Sequence, residues 1–325
     1  MSAPEIHNIL AHAPLLTELD SKIIEQLQED GRRSFSAIAR QLDANEKTVR
    51  SRVLHLLESG IVQITTVTEP AALGYHSLAL LGIRTSPDHS TEAIAEQLAS
   101  LSHVDYVVTS TGRYNLYAEV ICKDIHHLGD VVNNQIGTVA GIVSVETYPY
   151  LSLYYQQAAF SQAAKKEELD SSGVRPREPD QTDREIISIL SSDGRMPLQK
   201  VADQLNISEA QVRQRVNSMQ STGVLQIMGI VNPMNIGFRS VAWVSIKVSP
   251  GTAITAVAES LSKLQNITYV AICSGRFDIH AEIVCRDKGE LLDVYDNRIR
   301  TVAGLQCVEL ASYISLHYKR LIPDA

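Results

Sequence analysis

The sequence predicts an α+β protein: two tandem copies of a winged helix-turn-helix, each followed by a ferredoxin-like βαββαβ domain. Three observations carry that reading. The chain matches itself when slid by 163 residues, which lays Asp20 on Asp183, Gly31 on Gly194, Arg50 on Arg213, Gly112 on Gly275 and Glu119 on Glu282. The first part of each copy has its apolar residues at helical spacing, and the second part alternates between strand and helix patterns. The copies align without a gap over about 136 positions, roughly 40% of them identical, a period too long for a solenoid unit.

The first module is predicted over 16–68. Leu19, Ile23, Ile24 and Leu27 share one helical face, and DGRRS then makes a turn. Phe35, Ile38, Ala39 and Leu42 outline a second short helix. After the tight DAN turn, Asn45 caps a third helix that Gly60 ends. In the second module, 181–231, Thr182 with Glu185 and Ser208 with Gln211 both fit a capping box. Three short helices, the last two joined by a few residues, read as a helix-turn-helix. The runs IVQITTV and VLQIMGIV supply a wing strand to each.

The domains predicted over 74–156 and 237–320 run strand, helix, two strands around a Gly turn, helix, strand. Between the copies, 157–180 begins as a possible helical extension and continues as a linker rich in Ser, Gly, Pro and charge. Tyr148, Tyr150, Tyr154 and Tyr155 crowd one final strand and read as sheet packing.

Composition bounds the function. At 325 residues and 44% apolar content the chain can bury more than one core. A net charge of −8 gives no global field toward nucleic acid, so any such contact needs a local patch. No apolar run approaches the roughly 18–20 residues that span a bilayer, and the N-terminal stretch lacks a signal-peptide layout, so a cytoplasmic protein without a membrane partner is expected. Cys122, Cys273, Cys285 and Cys307 form no CxxC pair, so zinc is not expected; Cys122 and Cys285 fall at matching places on predicted strands and read as buried reduced thiols. His126 and His127 point about 100° apart on a helix and do not suit a shared metal. His7 and His12 fall in an N-terminus expected to fray. No catalytic triad, metal-ligand cluster or phosphate-binding Gly loop appears, so no enzyme activity, metal or cofactor is expected.

The third helix of each module carries the candidate chemistry. Val49, Val53 and Leu56, matched by Val212, Val216 and Met219, form the packing face. The opposite face holds Lys47, Thr48, Ser51 and His55 in copy one, and Ala210, Gln211, Gln214 and Ser218 in copy two. Arg50 and Arg52, with Arg213 and Arg215, flank it. Small polar groups toward base edges and guanidinium groups toward phosphates suit a recognition helix on double-stranded DNA. Arg32, Arg33 and Arg195, just before the second helix, are further phosphate candidates. As flank residues, Arg50 and Arg52 are expected to be dispensable for the fold. The plain alternative is a solvated helix face, since each three-helix unit is close to neutral.

Taken together these motifs resemble the Lrp/AsnC (feast/famine) transcription regulators: LDxxII, DGR, IAxxL and VRxRVxxLxxxGI, then P...LG, then a βαββαβ domain with a Gly-aromatic-acid turn. The resemblance spans nearly the whole chain, twice. It departs from the family in fusing two copies and in placing Asn115 where the turn usually has Asp. It implies sequence-specific DNA binding modulated by a small effector, an amino acid. The effector would be held near Gly112, Arg113, Tyr114 and Asn115 in copy one and Gly275, Arg276, Phe277 and Asp278 in copy two, with Thr138 and Thr301 in the TVAG loops as secondary candidates. For the glycines the plain reading is a hairpin turn; for the threonines, a helix end. Because Asp278 is charged and Asn115 is not, an ammonium-bearing effector is expected to prefer copy two. The resemblance also implies association through the βαββαβ domains, here between copies as an internal pseudo-dimer and then between chains as a homo-oligomer. Two alternatives share the modules: a sirohaem-decarboxylase-like enzyme, which resembles this family but uses His residues at a porphyrin site, and a partner of other regulators that does not bind DNA.

Overall fold

A computed structural model of the chain describes residues 16–68, 70–156 and 178–318. His7, His12 and all but the last three residues of the expected linker lie outside the described residues, as do the side chains of Tyr155, Gln156 and Tyr318.

Local chemistry explains the helical half. Helix α1 (Glu18–Glu29) starts in a capping box between Thr17 and Asp20. Ser34 caps α2 (Phe35–Gln41) and Asn45 caps α3 (Glu46–Glu58), so backbone N–H groups left open at each helix start find an acceptor. Gly60, at φ +69°, follows α3 in the left-handed region that a glycine tolerates. In copy two, α6 (Gln181–Ser192) is capped by Asp180 with Asp183, not by Thr182 with Glu185. The box begins two residues earlier than expected, at the position matching Thr17, and puts two carboxylates at the positive end of the helix dipole. Helix α7 (Leu198–Leu205) follows, and α8 (Glu209–Ser221) has the expected Ser208–Gln211 box.

The wings do not stay with their own copies. Strand β1 (Val62–Thr68) pairs antiparallel with β6 (Leu225–Val231), from Val62 opposite Val231 to Thr68 opposite Leu225. Each strand supplies the other's backbone partners, so neither copy can form this sheet by itself. The turns that precede α2 and α7 dock onto this ribbon: Gly31 N–H donates to Ile227 O at 2.8 Å and Gly194 N–H to Ile64 O at 3.1 Å. A Cβ at Gly31 would lie 2.9 Å from the Met228 backbone and one at Gly194 3.0 Å from the Ile64 backbone, so both turns need glycine at this place. One core results, joining Ile23, Leu27, Val53 and Leu56 to Ile186, Leu190, Val212 and Val216.

The other halves also merge. Copy one contributes β2 (Ser77–Thr85), α4 (Thr91–Ala99), β3 (Val104–Ser110), β4 (Leu116–Cys122), α5 (Ile125–Asp130) and β5 (Ile142–Gln156). Copy two contributes β7 (Ser240–Val248), α9 (Ile254–Ser262), β8 (Ile267–Cys273), β9 (Ile279–Cys285), α10 (Lys288–Asp293) and β10 (Leu305–Tyr318). Within each copy the order is the expected βαββαβ. Between copies, β5 pairs with β8 and β10 with β3, closing one barrel in the order β10-β3-β4-β2-β5-β8-β9-β7. Alternation along each strand sends one set of residues outward under the helices, such as Leu81, Leu116 and Ala118. The other set fills the barrel: Leu80, Tyr106, Tyr117, Tyr148, Trp243, Tyr269 and Tyr313. Closure leaves the barrel without a free edge among the described residues.

Candidate nucleic-acid interface and effector turns

Helices α3 and α8 present the faces that their spacing predicts. Val49, Val53 and Leu56 are fully buried, as is Val212, with Val216 and Met219 nearly so. Lys47, Thr48, Arg50, Ser51 and His55 are exposed, and so are Ala210, Gln211, Arg213, Gln214 and Ser218.

The flanking arginines divide into two groups. Arg52 grips Asp20 with Nε to Oδ1 at 2.7 Å and Nη2 to Oδ2 at 2.5 Å. Arg215 makes the matching contact, with Nη1 at 2.8 Å from both Asp180 Oδ2 and Asp183 Oδ1. Asp20 and Asp183 have no exposed surface. Burial pushes the Asp20 carboxyl upward, but the bonds from Arg52 and Thr17 outweigh it and hold the group below its ordinary value. These two arginines fasten the third helix to the first, a contact that argues against the expectation that Arg52 is dispensable for the fold. Arg50 has no carboxylate partner among the described residues; its guanidinium lies 5.0 Å from the Phe35 ring centroid. Arg213 pairs with Glu209 one turn away on the surface.

The arginines before α2 and α7 are also occupied. Arg32 donates to Gly194 O at 2.7 Å and Met196 O at 2.9 Å, and Arg195 donates to Gly31 O at 2.8 Å and to Arg33 O. These four bonds form two pairs related by the internal pseudo-symmetry and stitch one module's turn to the other's. Burial lowers the pKa of both guanidinium groups, yet they stay charged and use the carbonyls as substitutes for water. Arg33 is held by Gln26 and by Glu29 at 2.9 Å. The open polar face is therefore carried by Lys47, Thr48, Arg50 and Ser51 in copy one and by Arg213 and Gln214 in copy two. Gln211 is exposed but its Oε1 accepts from Ser208 N at 2.9 Å.

The two Gly turns lie at one end of the barrel. Gly112 and Gly275 take φ of +100° and +138°. Arg113 reaches across to Glu309 on β10 at 2.6 and 2.8 Å, and Arg276 reaches across to Glu146 on β5 at 3.1 Å. The hydrogen bond to Glu309 raises the Arg113 pKa. Tyr114 and Phe277 are buried in the barrel, where Tyr114 hydrogen-bonds Tyr148 and Glu146. Asn115 Oδ1 accepts from Thr85 N at 3.0 Å, and Asp278 Oδ2 accepts from Val248 N at 2.8 Å. Both side chains thus tie the turn to the neighbouring strand. Asp278 additionally pairs through Oδ1 with Lys247 at 2.7 Å. Thr138 and Thr301 donate back to carbonyls of the preceding turn, Asn134 and Gln135 for the first, Asn297 and Arg298 for the second. Among the described residues no hydrogen bond joins either threonine to the Gly turns.

Sequence reasoning missed the polar interior of the barrel. Glu119 accepts from Tyr150 and, across copies, from Tyr269, each at 3.0 Å. Glu282 accepts from Thr268 at 2.6 Å and Tyr313 at 2.7 Å. Burial first, then nearby Asp105, raises the Glu119 pKa to about 8, while burial raises that of Glu282. His280, fully buried and pushed down to about 3 by desolvation, shares a hydrogen bond with Ser245 at 3.0 Å and stands edge-on to Tyr148. The available signal was an apolar strand interrupted by Glu at the same place in both copies. Among the described residues no three His, Cys, Asp or Glu side chains are grouped to hold a metal, and no helix is long and apolar enough to cross a membrane. Cys122, Cys273 and Cys285 are buried free thiols and Cys307 is exposed.

Comparison with known proteins agrees with this architecture. A profile described as the AsnC-type helix-turn-helix domain matches residues 16–57 and again 180–220. The Lrp/AsnC ligand binding domain matches 78–160, and a C-terminal dimeric alpha+beta barrel domain matches 238–320. An uncharacterized HTH-type transcriptional regulator of Pyrococcus furiosus is 38% identical over 134 residues, covering 41% of this chain and 90% of that one. The HTH-type transcriptional regulator LrpA of Pyrococcus horikoshii is 33% identical over 132 residues, 40% of this chain and 93% of its own. Nearly all of each relative thus fits within less than half of this doubled chain. The solved siroheme decarboxylase NirDL superposes over 94% of both chains with a TM-score of 0.64 at 19% identity, a likeness of fold. With both module types present twice and close relatives matched almost end to end, the chain belongs to the Lrp/AsnC family of transcription regulators.

Proposed function

We propose that the chain is a sequence-specific DNA-binding regulator in which one polypeptide acts as an internal pseudo-dimer and α3 and α8 read two half-sites. The observation that carries this reading is the open polar face of each third helix on a single locked body. The β1–β6 ribbon and the Arg32 and Arg195 bonds across it support a fixed spacing between the helices. Lys47, Thr48, Arg50 and Ser51 contact DNA from copy one, and Arg213 and Gln214 from copy two. Arg32, Arg33, Arg52, Arg195 and Arg215 hold the body together, and Gln211 caps its helix. A gel shift on the region upstream of the protein's own gene, followed by selection from random DNA, tests the reading. A purified protein that shifts no sequence at low salt would point to a partner of other regulators, and one that carries porphyrin colour to an enzyme.

The effector reading rests on the family. A small amino acid would engage the turn around Gly275, Arg276, Phe277 and Asp278 in copy two, and more weakly the Gly112–Asn115 turn. Lys247 supplies an ammonium to Asp278 already, so an effector's ammonium must displace it. Chains associate further through the βαββαβ halves, a reading supported by the exposed Leu151 and Ile314 at matching places on β5 and β10. Light scattering at several concentrations measures that association.

A further inference from the structure

We propose that Leu54 makes copy one a reader of a thymine methyl group, a contact that copy two lacks. The inference rests on the DNA-binding reading above and names what α3 recognises. Leu54 is one of six large apolar side chains left open among the described residues, with 44% of its surface exposed. A single exposed leucine is ordinary; its place is what counts. Lys47, Ser51 and Leu54 are spaced i, i+4 and i+7 and form one stripe on the side of α3 opposite Val49, Val53 and Leu56. The stripe opens on Lys47 in the first turn, continues with Ser51 in the second and ends on the branched apolar Leu54 about one turn further on. In the major groove only thymine offers an apolar feature, its C5-methyl, and an aliphatic side chain satisfies it without any hydrogen bond. The corresponding stripe of α8 is Ala210, Gln214 and Asn217, all exposed, with an amide in place of Leu54. The two stripes differ at every place, and at the last one an apolar group in copy one stands where copy two has an amide.

The test uses the full chain and a duplex selected from random DNA. Each thymine is replaced singly by deoxyuridine, which deletes the methyl and leaves the hydrogen-bonding edge intact. We expect one replacement, on the copy-one half-site, to weaken binding about fourfold, the worth of roughly one buried methyl. Leu54→Ala should bind the thymine and deoxyuridine duplexes alike. Leu54 is exposed, so this variant keeps its fold, which circular dichroism verifies. Asn217→Leu should create a second methyl-sensitive position in the other half-site. The proposal is overturned if no deoxyuridine replacement affects the wild type, or if Leu54→Ala keeps the same sensitivity. Selection that returns no binding sequence overturns the DNA-binding reading and this one together, and is distinguished by the absence of any shift.

Discussion

Replacing Arg52 by Ala should destabilise the helical half of the protein instead of merely removing a surface charge. Asp20 has no exposed surface, and two bonds of 2.7 and 2.5 Å from Arg52 neutralise it. Thr17 contributes two more, from its hydroxyl at 2.7 Å and its N–H at 2.8 Å. Breaking a fully buried pair by removing one partner costs roughly 3–5 kcal/mol. Here the Arg52 side chain is 34% exposed and the Thr17 bonds survive, so a loss of about 2–3 kcal/mol is expected. For a cooperative unit of about 100 residues that is a fall of roughly 10 °C in the melting temperature. Urea denaturation followed by circular dichroism measures it. The pair also has a pH signature. Because the Asp20 pKa is depressed in the folded state, its stabilisation is present above the unfolded carboxyl value near 3.8 and is lost as pH falls below it. In Arg52→Ala this acid-side dependence should shrink. The double variant Asp20→Asn with Arg52→Met, which removes both charges, should recover most of the loss. If Arg52→Ala unfolds within about 0.5 kcal/mol of the wild type, an ordinary surface effect, the ion pair is idle and Arg52 is free for phosphate after all.

Four further outcomes are expected. Arg50→Ala should leave stability unchanged and lower the slope of log affinity against log salt by about 0.9, since one phosphate contact is lost; an unchanged slope removes Arg50 from the interface. Selected operators should have unequal halves, because Lys47, Thr48 and Ser51 of copy one correspond to Ala210, the helix-capping Gln211 and Gln214 of copy two; perfect palindromes would count against two divergent readers. In titration calorimetry with candidate amino acids, Asp278→Asn should weaken binding about tenfold and Lys247→Met should strengthen it by removing the competing ammonium; an Asp278→Asn protein with intact affinity places the effector elsewhere. Glu119→Gln should raise stability near pH 8 and flatten its pH dependence. The folded pKa of Glu119, about 8, lies above the unfolded value near 4.5, so stability is full below the lower value and declines as pH rises between the two; an unaltered profile would show that Glu119 does not titrate in that window.

The sequence by itself determined the module, its doubling and most of its elements. Period-3.6 runs located α1, α2 and α3, Asn45 marked a helix start, Gly60 marked a helix end, and the alternating runs around Gly112 and Gly275 located the paired strands. These are local effects, set by backbone capping, glycine conformation and the choice of which face to bury. What only the tertiary structure decided is which groups meet across the copies. Nothing in IVQITTV says that its hydrogen-bond partner is VLQIMGIV in the other copy, because a strand's backbone pairs with any strand of compatible register. The barrel closure by β5 with β8 and β10 with β3 is hidden for the same reason. The charged residues show the limit most clearly. Arg32, Arg52, Arg195 and Arg215 read as phosphate ligands because a guanidinium on a helix flank looks the same whether its partner is solvent, DNA or protein. The pair Asp20 and Arg52 recurs as Asp183 and Arg215 at the same separation, which says that the two residues are kept together in both copies. Only the packing of α1 against α3 brings the carboxylate and the guanidinium within bonding distance and turns a presumed DNA contact into a fastening of the fold.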